Sequence, residues 1–128
     1  MTVTISTIYV AILGLLFVPF TMYVGLYRVK HKILLLDGGD QELARRIRAQ
    51  GNFIETVPLA LILIVLMELN GASAAWLHCL GIALVVCRVM HYLTIATNPG
   101  NTLPRAVGMT GTLAVYLVAA CWLLVASF

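Results

Sequence analysis

The sequence is short of charge. Aspartate and glutamate together number five and lysine and arginine eight in 128 residues, so only 10% of the chain is charged, whereas a soluble globular domain is about a quarter charged. Cysteine is also scarce, and Cys79, Cys87 and Cys121 show neither a CxxC spacing nor an adjacent histidine pair. That spacing excludes a disulfide framework and a metal module, and the three read as buried free thiols with no metal site. Alternation of polar and apolar residues is missing too, which excludes a β-barrel. What remains is apolar: 62% of residues are hydrophobic and the mean hydropathy is +1.01. A soluble domain of this size would have to cover its surface with apolar side chains, whereas lipid accepts them. The chain reads as an integral membrane protein.

The few charges are unevenly placed. Residues 1–27 carry none, and six of the eight basic residues (Arg28, Lys30, Lys32, Arg45, Arg46, Arg48) fall between positions 28 and 48. The net charge of +3 is therefore a property of one loop and its flanks, and it does not describe a nucleic-acid surface. The positive-inside rule places the loop at 28–44 in the cytoplasm and both termini on the opposite side. The first apolar stretch is long enough to span and contains no A-x-A cleavage pattern, so it is expected to be a retained helix.

About 20 residues at 1.5 Å rise cross the hydrocarbon layer, and the apolar blocks then predict four helices, at about 5–27, 42–70, 73–96 and 105–128. The breaks between them, Asp37-Gly38-Gly39-Asp40, Asn70-Gly71-Ala72-Ser73 and Asn98-Pro99-Gly100-Asn101, are dense in turn formers. Short loops impose an all-α, up-down four-helix transmembrane bundle in a single domain, 1–128.

Ionisable groups inside such a bundle need partners or a function. On the second helix Arg45, Arg48, Asn52 and Glu55 recur at spacings that line one face. Pro58 follows and leaves the Ile54 carbonyl without its helical donor, a place for a bend. On the third helix Arg88 and His91 share a face, and Arg105 opens the fourth. Arg28, Arg48, Asn52, Glu55, Arg88, His91 and Arg105 are thus expected at one depth of one leaflet. In the plainest reading Arg88 pairs with Glu55 and the basic loop touches headgroups. That reading leaves Arg48, Arg88 and Arg105 facing the single deep acid Glu55, an excess that an anionic ligand neutralises. With Asn52 as a hydrogen bonder of both kinds, the cleft suits a small molecule with carboxylates and an ammonium. Glu68, near the end of its helix and able to reach water, and His78, beside Trp76, read as structural. Tyr92 is a minor candidate for a catalytic hydroxyl, because it points about 100° away from His91.

The stretch Arg48-Ala49-Gln50-Gly51-Asn52-Phe53-Ile54-Glu55-Thr56-Val57-Pro58 resembles the second-helix motif, R-A-x-x-N-x-x-E-x-x-P, of the membrane-associated proteins in eicosanoid and glutathione metabolism (MAPEG). Ala75-Trp76-Leu77-His78 with Arg88-Val89-Met90-His91 resembles the third helix of that family, and Pro104-Arg105 the start of its fourth. The likeness covers the whole chain and is closest to a small bacterial branch, which implies an inner-membrane location. It further implies a homotrimer with glutathione held at the subunit interfaces. Arg48, Asn52 and Glu55 would grip the tripeptide, Glu55 through the γ-glutamyl amine; Arg28, His91 and Arg105 would line the pocket and Arg88 would support it from within. The implied activity is glutathione transfer or peroxide reduction on a small lipophilic substrate arriving from membrane lipid, with Arg105 as the catalytic cation that stabilises the thiolate.

Departures from the family pattern bear on the chemistry. Gly51 stands where relatives carry a further arginine, Ile95 and Met109 where they carry tyrosines, and Ala106 where they carry a serine. Two other readings follow: a lipid- or glutathione-binding scaffold without turnover, and a small multidrug exporter. The exporter pattern needs an acid in the first helix, and residues 1–27 have none.

Overall fold

The computed structural model describes residues 3–128. It contains α1 (Ile5–His31), α2 (Gln41–Leu69), α3 (Ala74–Thr97) and α4 (Thr102–Ala126). All four are long and apolar enough to cross a membrane, and no strand occurs among the described residues. The sequence is thus an all-helical transmembrane bundle, as its composition requires.

Two helix ends differ from the boundaries expected from hydropathy. α1 runs on past Tyr27 to His31, because Arg28, Lys30 and His31 sit favourably in its last turn against the helix dipole. Lys32 then adopts a left-handed conformation (φ 57°) and ends it. α4 begins at Thr102, before Arg105. Pro104 fits there because the first-turn amides have no helical acceptor in any case. α2 continues through Pro58. Its start is fixed by Asp40, whose Oδ1 accepts from the Glu42 and Leu43 amides at 2.8 and 3.0 Å while Oδ2 accepts from the Tyr27 hydroxyl at 3.0 Å. The Leu43 amide is the main reason that the Asp40 carboxyl titrates below the usual carboxylate range.

α2 and α3 form the centre. α1 packs on both and α4 packs on both, but α1 and α4 do not meet among the described residues. The core runs along the central pair through Phe53, Ala60, Ile64, Leu77, Leu84 and Tyr92. α4 comes close to α3 at Gly108, where an added Cβ would lie 2.8 Å from the Cys87 carbonyl oxygen. Because the outer helices are separate, α2 keeps a long exposed face between them, and Arg48 and Glu55 lie on it.

Several polar residues are structural straps. Arg46 is not a headgroup contact: its guanidinium stacks on Tyr23 at 3.7 Å and Tyr27 at 4.2 Å, donates to the Tyr23 carbonyl and pairs with Glu42. Glu68, expected to face water, instead caps α1 by accepting from the Thr4, Ile5 and Ser6 amides at 2.7–2.8 Å and from the Ser6 hydroxyl. His78 meets the buried Tyr9 hydroxyl at 2.7 Å. The expectation of three buried thiols fails for Cys79 and Cys121, which are exposed on outward helix faces, while Cys87 is partly buried against α4. Apolarity alone does not tell a core position from a lipid-facing one.

Candidate functional site

At the end of the bundle that carries the 32–40 loop, two open grooves flank Arg48. The first, about 550 Å³, lies between α1 and α2 and includes Arg28, Arg48 and Glu55, with Leu35, Leu36 and Asp37 of the loop along its rim. The second, about 450 Å³, lies between α2, α3 and α4 and is lined by Arg48, Asn52, His91, Thr102 and Arg105 beside Ile95, Ala106 and Met109. Each falls within the range of about 300–1,000 Å³ that takes a drug-sized ligand.

The structure therefore divides the residues that the sequence placed together. Arg28 and Glu55 belong to one groove, Asn52, His91 and Arg105 to the other, and Arg48 to both. Arg48 and Glu55 face each other loosely at 3.6 Å with 63% and 59% of their side chains exposed. Such a pair contributes little to stability, which leaves both groups free for a ligand.

Arg88 lines neither groove and does not pair with Glu55. It is 1% exposed and lies behind the second groove, where Nη1 donates to Asn52 Oδ1 at 2.8 Å and to Thr56 Oγ1 at 2.9 Å, and Nη2 donates to the Gly108 carbonyl at 2.9 Å. Three helices are tied by one guanidinium. No carboxylate pairs with it among the described residues, and its Nε has no partner.

This contact corrects the view of Asn52 as a hydrogen bonder of both kinds. A guanidinium only donates, so the atom facing Arg88 must be the carbonyl oxygen, and the amide NH2 is the part left for the groove. Asn52 therefore offers a donor. His91 is oriented by the same kind of argument: Nδ1 lies 2.9 Å from the Arg105 carbonyl, which only accepts, so Nδ1 carries a proton. Tyr92 is removed from the chemistry, since it stacks on Phe20 at 3.6 Å and donates to the Phe20 carbonyl at 3.1 Å.

Two features of the grooves escaped the sequence reading. Thr102 lies one helical turn before Arg105 and is the only hydroxyl lining the second groove among the described residues; a helix start at 105 left it in a loop. Leu35 and Leu36 follow the end of α1 without a polar signal and overhang the first groove.

The family profile described as the MAPEG family matches residues 6–125. The chain belongs to the MAPEG family. Among curated relatives, this MAPEG protein is 38% identical over 88 residues to the inner membrane protein YecN of Escherichia coli (strain K12), a match that covers 69% of this chain and 67% of that protein. The YecN of Escherichia coli O6:H1 (strain CFT073) matches to the same extent.

Proposed function

We propose that this MAPEG protein binds glutathione through the residues around Arg48 and uses it as the nucleophile against lipophilic electrophiles or peroxides. The observation that carries the reading is the donor excess. Arg28, Arg48 and Arg105 line the two grooves with the Asn52 amide, while Glu55 and Asp37 are the only acids there among the described residues. Glutathione, with two carboxylates and one ammonium, is the complement of that set. Arg48, Asn52 and Arg105 suit its carboxylates and Glu55 its ammonium. Bound in this way it supplies a thiol, and Arg105 is placed to stabilise the thiolate by charge.

The division of the site between two grooves also favours the homotrimer. In a cyclic assembly the first groove of one subunit faces the second groove of its neighbour, so that Arg28 and Glu55 of one chain join His91 and Arg105 of the next. An inner-membrane location fits the name of the curated relative, and the positive-inside rule then favours the cytoplasmic side for the basic loop at 28–44.

Thermal unfolding of the detergent-purified protein across a glutathione titration tests the reading. A ligand that binds only the native state adds about 2.7 kcal/mol at a hundredfold excess over Kd. The expected result is a glutathione-dependent rise in Tm that disappears in Glu55→Gln and Arg48→Ala. Absence of the rise at millimolar glutathione would refute it. Ile95, Ala106 and Met109 leave Thr102 as the sole hydroxyl of the second groove among the described residues, and this favours a second reading, a binder without turnover. Binding with no turnover of any electrophile would decide for that second reading, whereas turnover unchanged in Arg105→Ala would remove Arg105 from the chemistry.

A further inference from the structure

The second groove lacks a base in all but one position. Arg48 and Arg105 can only donate, and Asn52 presents its NH2 because its oxygen is held by Arg88. Arg105 can stabilise a thiolate by charge, but a guanidinium has no lone pair with which to take the proton. Tyr92 and Tyr116, the tyrosines nearest by sequence, donate to the Phe20 and Thr56 carbonyls. His91 is different. Its Nδ1 proton is committed to the Arg105 carbonyl at 2.9 Å, so the neutral ring carries its lone pair on Nε2. The ring is 5% exposed, yet Nε2 has no protein partner and is not among the sealed, unsatisfied atoms, so the exposed edge is the one that opens on the groove.

We propose that His91 Nε2 is the proton acceptor for the thiol of the bound tripeptide, an inference that rests on the glutathione reading. The sulfur gives its proton to Nε2, leaving a thiolate beside Arg105 and an imidazolium still anchored through Nδ1. With a chloroarene as electrophile, the sulfur lone pair forms the new S–C bond, the C–Cl bond breaks and chloride leaves with the electron pair. The imidazolium then returns its proton to water through the open groove. Within one chain the charged groups facing the ring are Arg48 from α2, Arg88 from its own helix and Arg105 from α4, while Glu55 and Arg28 lie in the other groove; where the proposed trimer brings a neighbour's Glu55 to the site, the ligand ammonium engages it. All three are cations and oppose an imidazolium beside them unless an anion is also present. The thiolate and carboxylates of the ligand reverse that balance, so the proton moves to the ring only once the anion is in place.

Two measurements test the assignment, the first on the wild type alone. Glutathione is added to the purified protein at neutral pH, the ultraviolet absorbance of thiolate is recorded, and protons released are counted in a weakly buffered solution. Transfer to His91 gives thiolate without net proton release; one proton released per thiolate formed overturns the proposal. The second uses His91→Asn, whose amide nitrogen keeps the donor to the Arg105 carbonyl but removes the Nε2 lone pair. With 1-chloro-2,4-dinitrobenzene, turnover at neutral pH is expected to fall about 100-fold, the lower range for loss of a general base, while the glutathione-dependent rise in Tm persists. Turnover within about threefold of wild type, far short of what a base supplies, overturns the proposal. Where no thiolate band forms in the wild type, the turnover comparison decides, and a wild type that binds glutathione with neither thiolate band nor turnover overturns the proposal. Absence of a glutathione-dependent Tm rise in the wild type overturns the glutathione reading itself, and is distinct from every outcome that separates His91→Asn from wild type.

Discussion

Replacing Arg88 by methionine is the substitution whose effect is best defined by the structure. The side chain is fully buried and holds Asn52, Thr56 and Gly108, which belong to α2 and α4, from its place on α3. Hydrogen bonds between helices in lipid average about 0.6 kcal/mol and reach about 1.7. Three of them, each assisted by charge, therefore come to roughly 2–5 kcal/mol. Against this stands the relief of burying a guanidinium with no carboxylate partner. The partners left behind also have alternatives. Gly108 still accepts from the Thr112 hydroxyl at 2.9 Å, Thr56 still donates to the Asn52 carbonyl at 2.7 Å, and only Asn52 Oδ1 is orphaned. Methionine fills most of the volume, so Arg88→Met is expected to lose about 2 kcal/mol, and Arg88→Ala about 2 kcal/mol more from the cavity. Unfolding in mixed dodecyl maltoside and dodecyl sulfate micelles measures both. A double-mutant cycle with Asn52→Ala isolates the Nη1 contact, with an expected coupling of about 1 kcal/mol. Additive effects, or an Arg88→Met variant as stable as the wild type, would refute the three-helix tie.

Three further outcomes follow from the packing. Glu68→Ala removes a charged acceptor from three amides at the start of α1; a loss of about 2 kcal/mol is expected, at the top of the range for a cap, with faster amide exchange at residues 4–6. Gly111→Ala places a Cβ 2.4 Å from Cys87 Sγ but 3.7 Å from its Cβ, so it is expected to cost about 1–3 kcal/mol alone and close to nothing combined with Cys87→Ala, which restores the volume. Asp40 titrates below its ordinary range in the folded state. Its stabilising effect is therefore complete above the unfolded carboxylate pKa and lost as the pH falls through the lower folded value. Asp40→Asn should abolish that acid-limb dependence in Tm while leaving α2 capped.

How far the sequence discloses the molecule depends on whether a property is carried by a local pattern. Helix number and order follow from hydropathy, because lipid demands length and composition from every span. The polar face of α2 follows from the spacing of Arg48, Asn52 and Glu55. What hydropathy cannot resolve is orientation among apolar surroundings. The exposed Cys79 and Cys121 and the strap residue Arg46 were misplaced for that reason. Arg88 and Glu55 suit each other by charge, yet they point to different places: Arg88 inward toward Asn52 and Gly108, Glu55 outward into the groove of α1 and α2. Sequence spacing states which residues share a helix face, but the position of α4 relative to α2 decides which of them share a groove.

That division makes the proposed assembly open to a complementation experiment. If one chain carried the whole site, Arg28→Ala and Arg105→Ala would each damage the same site, and mixing the two proteins could restore nothing. If instead the first groove of one subunit meets the second groove of the next, each variant alone damages every interface, because every interface draws one groove from each side. Coexpression changes that. An interface is intact when an Arg105→Ala subunit supplies the first groove and an Arg28→Ala subunit supplies the second. Random assembly from equal amounts makes about a quarter of the interfaces of a cyclic trimer intact. Glutathione-binding capacity, measured per subunit by equilibrium dialysis, should therefore recover to about a quarter of the wild-type value in the mixture. Neither parent should exceed background at a glutathione concentration near the wild-type Kd. Recovery at that level requires both a shared site and free exchange around a closed ring, whereas no recovery from a verified mixed oligomer of two inactive parents would place Arg28 and Arg105 in one site within one chain.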